Sequence, residues 1–378
     1  MKFKYFSCNL PIMKCLLDPA QVHVISQKYE IPATDIYLIA LNTFGAKSPL
    51  SFLRIRSYFS PKGLNKKFYL MICLNTSPTP FYLDNSNVYI NGKLLGRLEK
   101  LENDLAELCY FRKRKKVLVL NTNDRTECIG KCKFCGTRYL TPRARIKILK
   151  FKELFKWFTN IETFAKIKFS KLEEICLNTG LFRSEGELVE HLIAIYDAAK
   201  LLGFRGEIKY IGAQLRSNAA IRKISKLIPR FSYYFTLETF EHKELVDERK
   251  RFLSSYIHIL VKFLRNLKDI GFETSVLYIL GLDSLSTISY VFQHLKNTLT
   301  RFPVINLFQA YHRSHEKLRH PRAKHLEYFI KARMIFEKIF EETNLKPKLW
   351  ENYRGLWYTE FRGEKIGGQG LQTFIRGY

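Results

Sequence analysis

The stretch CIGKCKFCG, residues 128–136, brings three of the chain's eight cysteines together with the spacing Cys-x3-Cys-x2-Cys. It follows a short apolar run, residues 117–121, whose composition predicts a buried strand. A secreted disulfide framework would be smaller and denser in cysteine, so the pattern favours a single metal site in a reducing compartment. The other cysteines are scattered: Cys8, Cys15, Cys73, Cys109 and Cys176.

Apolar runs and helical patterns alternate from residue 113 onward. The runs are nearly continuous in apolar residues, as in parallel strands that are buried on both faces. They comprise residues 117–121, 174–178, 207–212, 233–238, 274–280 and 304–310. Helical periodicity lies between them, for example where Ser184 and Glu187 have capping-box spacing and Gly203 provides a stop. The alternation predicts a parallel α/β architecture, either an open doubly wound sheet or a partial barrel.

The two ends of the chain differ from this pattern. Residues 1–112 predict a separate accessory or substrate domain, β-rich or α+β, followed by the α/β domain over residues 113–344. In the N-terminal part, residues 35–41, 51–58 and 68–74 resemble strands, residues 81–95 a hairpin, and residues 19–28 and 96–110 helices. Residues 345–378 form an aromatic, basic tail that contains the glycine-rich segment 367–370.

The charge balance is strongly basic, with 63 Lys and Arg against 35 Asp and Glu, a net charge of +28. Such a charge favours acidic partners, nucleic acid or an acidic electron donor among them, although a solvated lysine-rich surface would give the same composition. No apolar run is long enough to cross a bilayer, and no apolar signal core follows the basic start. We therefore expect a soluble, cytoplasmic protein without a membrane partner.

The chemistry of the cysteine stretch has several interpretations. Three thiolates on one tight loop can hold three irons of a cubane cluster and leave the fourth iron open to a ligand. A structural zinc site needs a fourth ligand, which would have to be Cys109 or His191, neither in a recognisable partner motif. A redox pair at Cys132 and Cys135, or three cysteines with no shared role, are further alternatives. The spacing favours the cluster.

The same stretch, with the aromatic Phe134 just before its third cysteine, resembles the signature of the radical S-adenosylmethionine (SAM) superfamily. The resemblance covers about residues 113–340. It implies an α/β fold with a partial (β/α)6 TIM-type barrel. It also implies two cofactors, SAM and an oxygen-sensitive [4Fe-4S] cluster bound by Cys128, Cys132 and Cys135. In that superfamily SAM chelates the fourth iron and is cleaved reductively to a 5′-deoxyadenosyl radical, which abstracts hydrogen from the substrate.

The resemblance also implies a set of cofactor-binding residues at the carboxyl ends of the predicted strands. Asn178, Thr179 and Gly180 stand where many members carry a glutamate-containing segment, a departure that resembles the biotin synthase and lipoyl synthase branch. The other candidates follow later strands: Gln214, Arg216, Glu238, Gly281, Gln309 and Tyr311. Glu238 could instead cap a helix, Arg216 be a solvated charge and Gly281 an ordinary turn glycine, while Cys176 is expected to pack in the core.

Three functions are compatible with these patterns. The first is a radical SAM enzyme with a single cluster that acts on a small metabolite or natural-product precursor. The second is a radical SAM enzyme that modifies RNA, such as tRNA, or a peptide, with Arg319, Arg322 and Arg354 contacting phosphates or a carboxylate. The third is a metal-binding protein without catalysis. For the enzyme, we expect an acidic electron donor such as flavodoxin or ferredoxin.

Overall fold

The N-terminal region joins two helices to an antiparallel sheet in a computed structural model that describes residues 19–75, 79–104, 109–122, 128–136, 150–351 and 354–366. Helix α1 (Pro19–Tyr29) precedes α2 (Ala33–Phe44). The sheet has the order β2-β1-β5-β4-β3. Its strands are β1 (Arg54–Pro61), β2 (Phe68–Cys73), β3 (Phe81–Asp84), β4 (Asn87–Ile90) and β5 (Lys93–Asn103).

Two expectations for this region are wrong. Residues 35–41 form part of α2 rather than a strand, because a short apolar run does not distinguish a buried strand from a buried helix. Residues 96–103 belong to strand β5 rather than to a helix. The register of β5 shifts against both of its neighbours, so that Leu95, Leu98 and Leu101 pack on one core despite their helical three-residue spacing.

The larger sheet has seven strands in the consecutive order β6 to β12. Strand β6 (Cys109–Arg112) pairs antiparallel with β7 (Val117–Leu120). The remaining strands continue from β7 in parallel: β8 (Glu174–Leu177), β9 (Glu207–Gly212), β10 (Phe231–Glu238), β11 (Glu273–Leu280) and β12 (Val304–Leu307). All six predicted apolar runs are thus strands. Among the described strands the order never reverses, so the doubly wound alternative is excluded.

Helices separate consecutive parallel strands, and two more follow the last one. Those between strands are α3 (Phe151–Ala165), α4 (Glu185–Leu201), α5 (Asn218–Leu227), α6 (Glu248–Arg251), α7 (Ile257–Asp269) and α8 (Leu285–Leu295), and those after β12 are α9 (Arg313–Glu316) and α10 (Leu326–Ile339). The predicted start of α4 is confirmed, since the Ser184 hydroxyl accepts a hydrogen bond from the Glu187 N–H at 3.1 Å. Gly203 follows α4 with a φ of +83°, the left-handed conformation that ends helices at low cost.

The seven-stranded sheet curls into a half-barrel whose two faces differ in chemistry. One face packs apolar side chains such as Leu118, Ile175 and Phe235 against the helices. The other face alternates with it along each strand and lines a cavity, into which Glu174, Lys209 and other polar groups point. The polar residues needed for a site are therefore confined to the concave side of the sheet.

The N-terminal sheet and the C-terminal segment cover the open side of the half-barrel. The Gln309 side chain, just after β12, donates hydrogen bonds to the backbone carbonyls of Asn42 (2.9 Å) and Met71 (2.6 Å). The carbonyl of Arg354 accepts from the N–H of Leu307 and so pairs the free edge of β12. The cavity is consequently walled by segments far apart in sequence.

The C-terminal segment is anchored to the N-terminal region by a buried ion pair. Arg333 on α10 bonds to Asp35 on α2 at 2.7 Å, and the carbonyl of Leu356 accepts from the same guanidinium. The strands β13 (Glu360–Phe361) and β14 (Glu364–Lys365) follow as a short hairpin. The glycine-rich segment 367–370 lies outside the described residues. In the described ranges, no helix combines the length and apolar character needed to span a bilayer.

Candidate functional site

The cysteine stretch lies beyond the carboxyl end of β7, at the mouth of the half-barrel. Cys132 and Phe134 are buried, while Cys128 and Cys135 are partly exposed and line the cavity together with Phe134. The N–H of Lys133 donates to the carbonyl of Leu245 at 2.8 Å, which holds the stretch against the segment after β10. The loop is thus fixed at the end of the sheet where barrel enzymes carry their chemistry.

Backbone N–H groups from two other strand ends point at the cysteine sulfurs. The N–H of Leu181, after β8, donates to Cys128 Sγ at 3.4 Å, and the N–H of Asp247, after β10, donates to Cys132 Sγ at 3.4 Å. Hydrogen bonds to sulfur stabilise thiolate ligands and tune the potential of iron–sulfur clusters. These two N–H···S hydrogen bonds make the site suitable for an iron–sulfur cluster that is bound through the cysteines.

A charged clamp behind the loop was not anticipated from the sequence. The Asp247 carboxylate accepts from the N–H of Lys131 at 2.7 Å and from the N–H and Nε of Arg249. Arg249 in turn donates to the carbonyl of Ile129. The Arg249 guanidinium, aided by the Lys131 N–H, holds the pKa of Asp247 far below the usual range of a carboxyl group. The clamp formed by Asp247 and Arg249 is therefore charged. The only sequence signal was the dense charge of residues 247–251 after a buried strand.

Two glycines allow the loop to approach its surroundings. A Cβ at Gly180 would lie 2.4 Å from Cys128 Cβ, and a Cβ at Gly136 would lie 2.0 Å from the ring of Tyr311. Both separations are shorter than any real Cβ contact, so any larger residue would displace the cysteine loop or its neighbours. Gly180 was expected at this site, and the structure brings it directly against the first cysteine.

Glu238 faces the cysteine loop from the end of β10. Its backbone has a φ of +64°, next to a register shift between β10 and β11 that turns the strand end toward the cavity. Its carboxylate pairs with Lys250 at 2.9 Å and lies 4.0 Å from Cys132 Sγ. Burial, with Glu238 nearby, raises the pKa of the free Cys132 thiol to about 12, so metal binding there must displace a proton.

The cavity below the loop has a volume of about 250 Å³. Most of the expected cofactor-binding residues lie on its wall: Phe134, Asn178, Thr179, Gly180, Glu238, Gln309 and Tyr311. They come from the ends of different strands, as the resemblance implied. Lys250, which was not predicted, lines the same wall.

Three expected residues lie away from the cavity wall. Gln214 bonds to both backbone groups of Phe182 at 2.9 Å, so it ties the loop after β9 to the loop after β8. Arg216 is exposed and lies over the ring of Phe252. Gly281 has a φ of +116°, and a Cβ there would meet Phe308 at 3.2 Å. Their cofactor contacts remain predictions.

The other cysteines have different surroundings. Cys109 is buried on β6, and the proposed alternative zinc ligand His191 is buried on α4 with its ring 2.5 Å from the Thr122 hydroxyl. Cys176 is buried on β8 and faces the cavity, and burial raises its pKa to about 12. Among the described residues, no three Cys, His, Asp or Glu side chains converge on one point as around a single metal ion. A cluster differs in this respect because each thiolate binds a separate iron.

Four arginines on the cavity wall come from outside the parallel strands. Arg54 and Arg56 lie on β1, Arg112 ends β6, and Arg354 belongs to the C-terminal segment. We call these four residues the arginine wall. Only Arg354 was considered from the sequence, as a contact for phosphate or carboxylate. Arg319 instead bonds to Glu316 and to backbone carbonyls, and Arg322 is exposed. A charged residue inside an otherwise apolar strand was the available signal.

The floor of the cavity carries a buried ion cluster. Lys209 on β9 bonds to Glu174 and to Glu351, each at 2.7 Å. Burial alone would lower the pKa of Lys209, but Glu351 and Glu174 outweigh it and raise the pKa well above its usual value. Lys209 is therefore a fixed positive charge that joins the barrel floor to the C-terminal segment.

Comparisons with known proteins give partial likenesses. No family model and no curated protein matches the sequence. Streptococcus suis SuiB bound to S-adenosylmethionine is 14% identical over 51% of this chain and 40% of SuiB, with a TM-score of 0.35. SuiB bound to its precursor peptide SuiA aligns over 51% of this chain and 39% of that one, at the same identity and TM-score.

A second solved structure covers more of the chain. The FeFe-hydrogenase maturase HydG from Carboxydothermus hydrogenoformans is 17% identical over 68% of this chain and 61% of HydG, with a TM-score of 0.41. The chain thus spans about two fifths of SuiB and three fifths of HydG. At such scores the likeness carries no functional argument, which depends instead on the cysteine loop and the cavity.

Proposed function

We propose that this chain is a radical SAM enzyme with one [4Fe-4S] cluster on Cys128, Cys132 and Cys135. The observation that carries the proposal is the position of the Cys-x3-Cys-x2-Cys loop. It follows the first of six consecutive parallel strands and opens onto the concave cavity, with backbone N–H groups directed at two of its sulfurs. The partial (β/α)6 barrel and the likeness to the biotin synthase branch are parts of the same proposal.

When bound, the cluster and SAM supply a reducing electron and a primary carbon radical that abstracts hydrogen from a substrate. The chain's own residues bind and orient these groups. The three thiolates hold the cluster, and the clamp at Asp247 keeps their loop in place. Asn178, Thr179 and Gly180 offer polar backbone groups beside it, while Glu238 and Lys250 present a carboxylate and an ammonium group from the facing strand end.

A small molecule is the substrate class that the cavity favours. The N-terminal sheet covers the open side of the half-barrel, and the remaining cavity of about 250 Å³ suits a small molecule, whereas of an RNA it would admit only a single flipped-out base. The described cysteines outside the loop, Cys73, Cys109 and Cys176, are buried on three different strands rather than gathered in one loop, which supports a single cluster. The basic surface suits an acidic electron donor such as flavodoxin or ferredoxin.

The test is anaerobic reconstitution with iron and sulfide, followed by reduction with dithionite in the presence of SAM. We expect about four irons per chain and the release of 5′-deoxyadenosine. If the reconstituted protein binds iron but forms no 5′-deoxyadenosine, it is a metal-binding protein without this activity. Titration with tRNA over a salt series examines the RNA alternative, because phosphate contacts give an affinity that falls steeply with salt.

A further inference from the structure

The arginine wall concentrates positive charge inside the cavity. Among the described residues, six basic side chains line the cavity: Arg54, Arg56, Arg112, Lys209, Lys250 and Arg354. Three acidic side chains of the same described ranges line it: Glu174, Glu238 and Glu351. Glu174 and Glu351 pair with Lys209 at the floor of the cavity. Glu238 pairs with Lys250 beside the cysteine loop, the side of the cavity that we call the cysteine end. Within the part of the chain that the structure describes, the excess of basic over acidic side chains therefore lies in the arginine wall.

The guanidinium groups of the wall are held by aromatic rings and one carboxylate. Asp104 pairs with both Arg54 and Arg56 through their Nε atoms. Arg56 and Arg112 lie 5.4 and 5.2 Å from the ring of Tyr110. These contacts fix the planes of the guanidinium groups.

The arginines also lie close enough to interact with one another. Burial lowers the pKa of Arg54, Asp104 opposes this effect, and the neighbouring charges of Arg354 and Arg56 add to it. Arg54 further lies 4.8 Å from the ring of Tyr311, which packs against Gly136 in the cysteine loop. The arginine wall thus extends from the floor of the cavity to the cysteine loop.

Four arginine side chains on one cavity wall make that wall strongly positive, and such a surface attracts anions. Arginine presents paired donors that match a carboxylate or a phosphate in two parallel hydrogen bonds. We propose that the arginine wall binds the anionic group of the substrate, a small molecule that carries at least one carboxylate or phosphate. The wall then holds the substrate by its charged end and leaves its remainder directed toward the cysteine loop.

This inference rests on the proposed function for the identity of the ligand as substrate, but its test does not require catalysis. The reconstituted protein is titrated by calorimetry with inorganic phosphate and, separately, with succinate, at constant ionic strength set by chloride. We expect saturable binding of at least one anion, with phosphate and succinate distinguishing the two chemistries. Repeating the titration with saturating SAM should leave that affinity within about twofold, because the two ligands occupy different parts of the cavity.

Variants identify the wall as the binding surface. Arg354→Gln removes the partly exposed member of the wall and should weaken anion binding about 10- to 100-fold, as loss of a hydrogen-bonded charge does. Arg354→Lys keeps the charge without the paired donors and should lie between wild type and Arg354→Gln. Arg222→Gln, on the exposed face of α5, is the matched control and should change nothing. Thermal unfolding of each variant verifies that it is folded.

The titrations and the variants have several outcomes that would contradict anion binding at the arginine wall. The absence of saturable binding of either anion to the wild type would overturn it, as would binding that Arg354→Gln and Arg112→Gln leave unchanged. Complete competition between SAM and the anion would assign the wall to SAM and likewise overturn it. Anion binding that depends on the wall, in a protein that forms no 5′-deoxyadenosine, would keep the site while rejecting the radical chemistry. Cleavage of SAM without anion binding would do the reverse.

Discussion

The cysteine end and the arginine wall form two sides of one cavity, but the chain builds them differently. The cysteine end places its three sulfurs within eight consecutive residues, and the loops after β8 and β10 bind them through backbone groups. The arginine wall collects single side chains from β1, β6 and the C-terminal segment, across 300 residues of sequence. A local sequence motif therefore predicts the cysteine end, whereas the arginine wall forms only when the chain folds.

The largest effect should come from the cysteines themselves. Replacing Cys128, Cys132 or Cys135 by Ala removes one ligand of the proposed cluster, and we expect the bound iron and SAM cleavage to fall by about 100-fold or more. Iron analysis and visible absorption after reconstitution measure the loss. Cys73→Ala, on β2 and away from the cavity wall, is the control and should retain the iron. Equal loss in all four variants would mean that the cysteine end has no special role.

The next effect distinguishes stability from cofactor binding. Lys209→Met leaves Glu174 and Glu351 buried without their shared cation, which should lower the free energy of unfolding by about 3–5 kcal/mol. Urea unfolding measures this change, with the exposed Lys223→Met on α5 expected within about 0.5 kcal/mol of wild type. At low temperature the folded variant should still bind iron. A change below about 1 kcal/mol would show that the ion pairs of Lys209 do not hold the C-terminal segment to the barrel floor.

A matched pair of glycines tests how tightly the cysteine end is packed. Gly180→Ala forces a Cβ to within 2.4 Å of Cys128 Cβ, and we expect a loss of about 1–3 kcal/mol together with reduced iron content. Gly186→Ala lies in α4 with open space, its Cβ 3.8 Å from Ser184 Oγ, so it should be neutral or stabilise by up to about 1 kcal/mol. Identical behaviour of the two variants in melting and iron analysis would contradict the close approach.

The smallest effect concerns the clamp behind the loop. Asp247→Asn removes the charge that holds Lys131 and Arg249, and we expect about 1 kcal/mol weaker retention of the loop. Release of iron to a chelator should accelerate about five- to tenfold. Asp197→Asn, exposed on α4, serves as the control. Unchanged release in Asp247→Asn would indicate that backbone contacts alone hold the loop.

The sequence predicted the parts of the molecule in which neighbouring residues act together. All six parallel strands are near-continuous apolar runs, and the cysteine loop and its glycine partner Gly180 are local patterns. The helix α2 escaped prediction because nine of the ten residues 35–44 are buried, so that no polar face marks the helical period. Strand β5 escaped because its register shifts gave leucines a three-residue spacing that is typical of helices.

The arginine wall and the clamp could not be read in the same way. The sequence does not show whether an arginine on β1 is buried or exposed, because this depends on how the half-barrel packs against β1. Gln214 shows the converse, since its position after a strand suggested a cofactor contact, while its side chain bonds to the backbone of Phe182. Side-chain direction and long-range pairing decide these roles, and neither is encoded by local spacing.

In the proposed function, the three cysteines leave one iron open to SAM at the mouth of the cavity. Electron–nuclear double resonance of the reduced, reconstituted protein, with SAM labelled by nitrogen-15 at its amino group and oxygen-17 at its carboxylate, measures this directly. We predict hyperfine coupling of both labels to the cluster, lost in Cys132→Ala. A well-formed reduced cluster with no coupling to either label in the presence of saturating SAM would contradict the proposed binding of SAM to the open iron.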